Sequence, residues 1–181
     1  MDCREFFKIN EGNTDKCKLL QDKPGQALNW EKSCSASEYS PGLVEESETL
    51  YRQVFIPIHV DDETGKLKPA LFDDASSKGL SVNRADFIPF QTFIEKGLAK
   101  AATDRERKPD RQFFGLASTK CGNVRAILTT ASERAFCVFD TAHANDLSHA
   151  DVCQIVRGKQ EGRSARSKLY DAFNTVEQFI E

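Results

Sequence analysis

Arg52 and Gln53 are the first side chains in the sequence whose types and positions could do chemistry. They begin the alternating stretch RQVFIPIHV. Arg52 falls on the same side of that alternation as Val54 and Ile56, which directs its guanidinium toward the interior. An unpaired charge there is costly, so Arg52 requires a carboxylate, phosphate or carbonyl partner. Arg52 is therefore either half of a structural ion pair or, with Gln53, an anchor for an anionic ligand.

A second candidate site is the short segment GLSVNR at residues 79–84. In an extended chain Ser81 and Asn83 share one face, and Arg84 points to the other. A glycine loop that leads into such side chains can hold a phosphate or a ribose. Gly79 and Asn83 are equally typical of an ordinary turn, so the ligand-binding interpretation depends on what lies nearby.

The third candidate combines histidines and carboxylates late in the chain. Asp140, His143, His149 and Asp151 fall within residues 140–151, and His59 lies on a strand that could be adjacent. Such a set can supply a catalytic base, His149, oriented by a carboxylate such as Asp151. The spacing matches no standard metal-binding motif, so no metal is assigned.

The stretch from residue 51 to 60 alternates with a period of two, which predicts a strand with one face in the core. Pro57 cannot donate to a ladder, so the strand is expected at a sheet edge or with a bulge. The sequence DDETG at 61–65 predicts a turn, and 68–72 predicts the second arm of a hairpin. Residues 80–83 predict a brief strand.

Helical periodicity follows from 88 to 102, with an apolar stripe made by Phe90, Phe93, Ile94, Leu98 and Ala101. Residues 112–118, 124–130 and 135–140 then predict three strands whose short connections suit an antiparallel meander. Residues 149–156 fit either a strand or a capped helix.

A last amphipathic helix is predicted after Ser164, which is a suitable N-cap. Its apolar stripe consists of Leu169, Ala172, Phe173, Val176, Phe179 and Ile180. The predicted fold class is α+β: an antiparallel sheet, made of an edge hairpin and a three-stranded meander, with packed helices.

At 181 residues the chain is long enough for one domain, which we place at 50–181. Residues 1–49 carry turn-forming glycines and prolines and few periodic apolar residues. They predict a loop-rich N-terminal arm that packs on the domain or binds a partner.

The formal net charge of −3 gives no general attraction to nucleic acid or to anionic membranes. The basic stretch at 157–168 contains no interleaved aromatic residue, so a stacking platform for single strands is not predicted. A DNA- or RNA-binding role is the third and least favoured alternative, and it rests on this stretch alone. Neither a signal peptide nor a membrane-spanning run is recognisable, which predicts a cytoplasmic protein with no membrane association.

The six cysteines form no C-x-x-C pair and follow no export signal, which predicts reduced thiols. Cys137 and Cys153 lie in apolar runs and are expected in the core. Cys121 lies before Gly122 in a predicted turn and is expected to be exposed.

The sequence contains no G-x-S-x-G, P-loop or G-x-G-x-x-G motif, so common hydrolase and nucleotide-binding signatures are absent. Whether the protein is an enzyme stays open, and no cofactor is assigned.

Three segments together resemble a group of small bacterial proteins of uncharacterised activity. The matching positions are Arg52-Gln53-Val54, then Leu80-Ser81-Val82, then His149, Ala150 and Val152. In that group a histidine tends to follow R-Q-V, whereas this chain has Phe55 there and His59 further along. The resemblance spans roughly residues 50–156 and implies a bacterial accessory gene, such as one in a toxin or defence cassette.

Two functional hypotheses follow. The first is a non-catalytic, protein-binding component of a bacterial conflict or defence cassette, motivated by the missing catalytic signatures and the N-terminal arm. The alternative is a nucleotide-handling enzyme of ADP-ribosyltransferase-like type. In it Arg52 holds phosphate, Ser81 and Asn83 hold the ribose, and His149 or Asp151 acts in the chemistry. Oligomeric state is not predicted.

Overall fold

An antiparallel sheet organises the protein, and the computed structural model describes residues 1–61, 63–173 and 175–179. The strands of the described part are β1 (Thr49–Ile56), β2 (Leu80–Arg84), β3 (Gln112–Lys120), β4 (Phe136–Asp140), β5 (His149–Gln154) and β6 (Thr175–Gln178). The α-helices there are α1 (Cys3–Ile9), α2 (Lys16–Gln21), α3 (Pro24–Ser33), α4 (Phe90–Asp104), α5 (Cys121–Arg125) and α6 (Lys159–Ala172). Two 3₁₀ helices span Pro69–Ser76 and Ala85–Phe87. The predicted α+β class with an antiparallel sheet is confirmed.

The strand order is β4-β5-β2-β1-β3-β6, so β1 lies in the middle of the sheet. The expected edge position for this strand is wrong. The strand ends at Ile56, so Pro57 lies just beyond the ladder and its missing N–H removes no ladder bond. A bulge does occur, between Val54 and Phe55, where β1 pairs with β3.

The predicted hairpin arm at 68–72 is a 3₁₀ helix, because Pro69 begins it with a preset φ. Only an isolated bridge joins Val60 to Leu67. Asp62 of the predicted turn lies outside the described residues.

The predicted meander is also wrong in its connections. Residues 121–125 form α5 rather than part of a strand, and β5, β2 and β1 lie between β4 and β3 in the sheet. β3 and β4 are therefore consecutive strands in the chain but are not neighbours in the sheet. Residues 149–154 form a strand, so of the two interpretations for this segment, a strand or a capped helix, the strand is correct.

The last helix begins after Gly158, earlier than the expected Ser164 cap, and ends at Ala172. It buries one face through Gly162, Ala165 and Leu169. Of the rest of the predicted stripe, Ala172 is the last residue of the helix and Phe173 its C-cap, whereas Val176 lies on β6, which pairs with β3 at the edge of the sheet. Ile180 lies outside the described residues.

Helices cover both faces of the sheet. One face packs against the first 3₁₀ helix, α5 and α6 in the largest apolar cluster. On the opposite face, α1–α3 pack on β4 and β5, and α4 packs on β1 and β3. Ser81 of β2 is exposed on that opposite face.

The N-terminal segment takes part in the packing. Cys3, Phe6, Phe7, Cys17 and Leu20 are buried in one cluster with residues of β4 and β5. The ring centroids of Phe7 and Phe139 are 4.8 Å apart. The part of residues 1–49 that is helical therefore covers the end of the sheet that carries β4.

Among the helices of the described residues, none combines the length and the apolar character needed to cross a bilayer.

Candidate functional site

The pairing of β2 with β5 brings the second and third candidate segments together. Ser81 lies opposite Asp151, and Asn83 lies opposite His149. Cross-strand partners project to the same face of a sheet, so these four side chains share the face that α1 and α2 border. Ser81, His149 and Asp151 line a cleft of about 720 Å³ on that face.

Basic side chains from distant parts of the sequence surround these three residues. The charged residues lining the cleft are Arg4, Lys8, Glu11, Lys16, Glu38, Lys78 and Asp151. Thr141, Ala142 and His143 line it as well. The cleft is therefore polar, with an excess of one positive charge before either histidine is protonated.

The ring of His149 is held by Thr141. Its Nδ1 lies 2.9 Å from the Thr141 Oγ1 and 3.1 Å from the Thr141 carbonyl oxygen. When Nδ1 carries the proton it donates to the carbonyl oxygen and Nε2 is the acceptor of the neutral ring, whereas a hydrogen bond from the Thr141 hydroxyl to Nδ1 leaves the proton on Nε2. The His143 ring lies beside it, with centroids 4.8 Å apart.

Asp151 is paired with a lysine rather than with His149. Its Oδ2 accepts from the Lys16 Nζ at 2.7 Å, and only 6% of the Asp151 side chain is exposed. Burial is the largest single effect and lowers the pKa of Lys16, but the charge and hydrogen bond of Asp151, together with Cys153 and Cys17, raise that pKa overall. Thr141, and not the expected carboxylate, is thus the residue that orients His149.

Gly79 allows the 3₁₀ helix to turn into β2 beside this ion pair. Its backbone φ of +94° is one that residues other than glycine rarely adopt. A Cβ at this position would lie 3.0 Å from the Asp151 Cγ. The glycine is therefore required by backbone geometry and by the close approach of Asp151.

Arg52 does not line the cleft, although it touches the backbone of a residue that does. Its Nη1 donates to the Ser81 carbonyl at 2.9 Å, and Nη2 lies 3.8 Å from the Asp74 carboxylate. Burial lowers the pKa of Arg52 to about 10, against the opposing effect of Asp74 and Asp151. Arg52 donates to Ser81 beyond the last pair of the β1–β2 ladder, Tyr51 with Asn83.

The other predicted ligand-binding residues serve the fold. Arg84 is 1% exposed and donates to Glu48 at 2.6 and 2.7 Å, on the face opposite the cleft. Asn83 donates to the Ser148 hydroxyl at 2.7 Å and does not line the cleft. Gln53 pairs with Leu116 of β3 and is absent from the cleft lining.

Sequence reasoning missed Arg4, Lys8 and Lys16, and it included Thr141 in the third candidate segment without giving it a role. The three basic residues come from the N-terminal segment, more than a hundred residues before β5, where no local pattern shows a contact. The position of Thr141 directly after a strand ending in Asp140 was a signal that could have suggested it.

The cysteines are not candidates for chemistry in this site. All six are free thiols, and Cys137 and Cys153 are fully buried, as expected. The prediction that Cys121 is exposed is wrong: it is fully buried at the start of α5, and burial raises its pKa to about 12. Within the described ranges no group of three or more His, Cys, Asp or Glu side chains is arranged to hold a metal ion.

Several side chains of the basic stretch at 157–168 are engaged within the molecule. Arg157 donates to the Gln21 carbonyl at 2.9 Å, Arg166 to Gln154 at 2.8 Å, and Lys168 to the Leu128 carbonyl at 2.7 Å. These contacts join α6 to its neighbours.

Comparison of the chain with protein-family models, with curated proteins and with solved structures finds no match.

Proposed function

We propose that the cleft between β2, β5 and the N-terminal helices binds a small phosphate-bearing ligand of the nucleotide class. The observation that carries the proposal is the convergence of Ser81 and His149 with basic side chains in one cleft. Its volume of about 720 Å³ suits a ligand of that size.

Arg4 and Lys8 are the basic residues available for a ligand. They lie one turn apart on α1, so both side chains project from the same face of the helix into the cleft. Neither forms an ion pair with any described residue, whereas Lys16 is paired with Asp151 and Lys78 lies 3.3 Å from Asp74. A phosphate group would supply the acceptors that Arg4 and Lys8 lack.

His149 and Ser81 would contact the remainder of the ligand. In the tautomer whose Nδ1 donates to Thr141, the Nε2 of His149 can accept a hydrogen bond from a ribose hydroxyl. Arg52 is a positioning residue in this proposal, since it acts on the ligand only through the Ser81 backbone. Asp151 holds the Lys16 side chain through their ion pair, and its carboxyl group lies next to Gly79.

Thermal unfolding with a panel of nucleotides and inorganic phosphate tests the proposal. At a ligand concentration ~100-fold above Kd, stabilisation should reach ~2.7 kcal/mol, a rise of several degrees in Tm for a chain of this size. His149→Gln and Lys8→Gln should each reduce the shift.

Lys32→Gln is the matched control. Lys8 and Lys32 both lie in the last turn of a short N-terminal helix, but Lys32 does not line the cleft. The proposal is wrong if no ligand of the panel raises Tm. It is also wrong if the ligand raises the Tm of Lys8→Gln and Lys32→Gln by the same amount and raises the Tm of His149→Gln as much as that of the unmodified protein.

A protein-binding role in a bacterial conflict or defence cassette, in the cytoplasm, is the second candidate. It is favoured by large apolar side chains that are exposed at the end of the second 3₁₀ helix, at the start of α4 and in the loop before β5: Phe87 is 39%, Phe90 49% and Leu147 48% exposed. Co-expression with the products of adjacent genes tests it. A complex that survives Phe87→Ser and Phe90→Ser together, or no complex at all, would count against this surface.

A further inference from the structure

Three hydrogen-bond donors surround the ring of Phe55, on the part of the sheet covered by α4. The Lys100 Nζ and the Arg111 Cζ each lie 5.7 Å from the Phe55 ring centroid. The His59 ring centroid lies 5.9 Å from it. A helix, the residue preceding β3 and the loop after β1 therefore bring a lysine, an arginine and a histidine to one place.

His59 presents a donor there rather than an acceptor. Its Nδ1 accepts from the Phe55 backbone N–H at 3.1 Å, so in the neutral ring the proton resides on Nε2. The residue is 7% exposed. Burial, together with Arg52, Arg111 and Lys100, lowers the pKa of His59 to about 3, so the ring is neutral at physiological pH.

Several donors in this region have no acceptor among the residues that the structure describes. The Nε–H groups of Arg52 and Arg111 are buried without a partner. The His59 Nε2–H has no acceptor within the same residues, and Lys100 forms no hydrogen bond or ion pair with them. The two arginine Nε–H groups are the buried ones among these donors, and buried donors without acceptors are rare in native proteins and call for a missing partner.

Positive charge is in excess at the same place. Arg52, Lys78 and Arg111 all lower the pKa of Lys100, in addition to burial, and Asp104 is the carboxylate that opposes them. Asp104 is itself 3.1 Å from the Arg111 Nη1. Because the whole chain carries a net charge of −3, this local excess is not a general property of its surface.

We propose that Lys100, Arg111, His59 and Arg52 form a binding site for an oxyanion of the phosphate type. A tetrahedral oxyanion offers acceptors in several directions, which matches donors arriving from different elements. Lys100, Arg111 and His59 do not line the cleft described above, so these three donors are distinct from those of the proposed nucleotide site, and Arg52 borders both through its bond to the Ser81 carbonyl. The oxyanion is either free phosphate or a phosphate group of a larger ligand.

Titration with sodium phosphate against sodium chloride, at constant ionic strength, tests the site by thermal unfolding and by NMR of the His59 imidazole. Phosphate should raise Tm and shift the His59 resonances. Lys100→Gln should weaken phosphate binding roughly tenfold or more, as expected when a charged donor is lost. Because the Lys100 side chain forms no hydrogen bond or ion pair with a described residue, this variant should fold normally.

Lys108→Gln is the control, because Lys108 is exposed in the loop after α4 and makes no side-chain contact with the described residues. The inference is overturned if phosphate has no effect beyond chloride, or if both lysine variants respond alike. It is also overturned if His149→Gln or Lys8→Gln abolishes the phosphate effect and Lys100→Gln does not, because the anion then binds in the cleft.

A nucleoside monophosphate distinguishes the two sources of the oxyanion. If Lys100→Gln also abolishes the rise in Tm caused by the nucleoside monophosphate, the site holds the phosphate group of a larger ligand. If only inorganic phosphate depends on Lys100, the site holds the free anion. Both results support the site, and neither depends on the outcome for the cleft.

Discussion

Arg84 lies between two buried carboxylates, and this arrangement affects how stability depends on pH. Its Nε lies 2.6 Å from Glu48 and its Nη1 lies 3.7 Å from Asp140. Burial raises the pKa of Asp140 to about 6, although Arg84 opposes that shift. The folded protein therefore holds the Asp140 proton more tightly than the unfolded chain does.

The sign of the effect follows from linkage. A carboxyl group whose pKa is raised in the folded state contributes to the stability of the folded protein. That contribution is complete below pH ~4 and is lost as the pH rises through 6. Asp140→Asn should match the unmodified protein at pH 4 and be more stable at pH 7 by up to ~3 kcal/mol. Urea unfolding across this range measures the difference.

Asp110→Asn, in the exposed loop before β3, is the control and should not alter the pH profile. If Asp140→Asn is instead less stable than the unmodified protein at pH 7, the attraction of Arg84 outweighs the cost of burying this carboxylate.

At the scale of elements, the turn at Gly79 connects the 3₁₀ helix to β2 and brings Asp151 close. Gly79→Ala forces a side chain into the left-handed region, at a cost of ~1–2 kcal/mol. The new Cβ would also lie 3.0 Å from the Asp151 Cγ. We expect a loss of at least ~1 kcal/mol in the free energy of unfolding, measured with denaturant.

Gly25→Ala is the matched glycine substitution. Gly25 lies in the first turn of α3, and a Cβ there would meet nothing within 4 Å. Alanine should therefore stabilise by ~0.5–1 kcal/mol. If the two substitutions change the free energy of unfolding equally, neither the positive φ of Gly79 nor its contact with Asp151 contributes to stability.

At the scale of the whole molecule, the N-terminal helices and the sheet share one apolar cluster. Phe7 is 7% exposed and packs on Phe139 of β4, whereas Ile9 on the same helix is 63% exposed. Phe7→Ala should cost ~3–5 kcal/mol. Ile9→Ala should change stability by less than ~0.5 kcal/mol.

The same experiment tests the division of the chain at residue 50, which stays a prediction. We expect a single unfolding transition that moves to lower denaturant in Phe7→Ala, recorded by both circular dichroism and Trp30 fluorescence. Two separate transitions, with only the fluorescence change affected by Phe7→Ala, would show that residues 1–49 unfold independently.

The elements with strong local periodicity were predictable, and their arrangement in the sheet was not. The helix at 90–104 and the strands at 49–56 and 112–120 follow from apolar repeats that local geometry imposes. Val176 and Phe179 continued the apolar repeat of α6, yet Val176 pairs in β6, because contact with β3 outweighs helical propensity at a chain end.

In the candidate site, the faces that Ser81, Asn83 and Arg84 occupy follow from residue order alone, since alternation along a strand is a property of the backbone. The meeting of Ser81 with His149, the place of Arg52 outside their cleft, and the positions of Arg4 and Lys8 beside it emerge only in the folded chain. These relations join residues far apart in the chain. They depend on strand order and on how the helices pack on the sheet, and no local pattern encodes either.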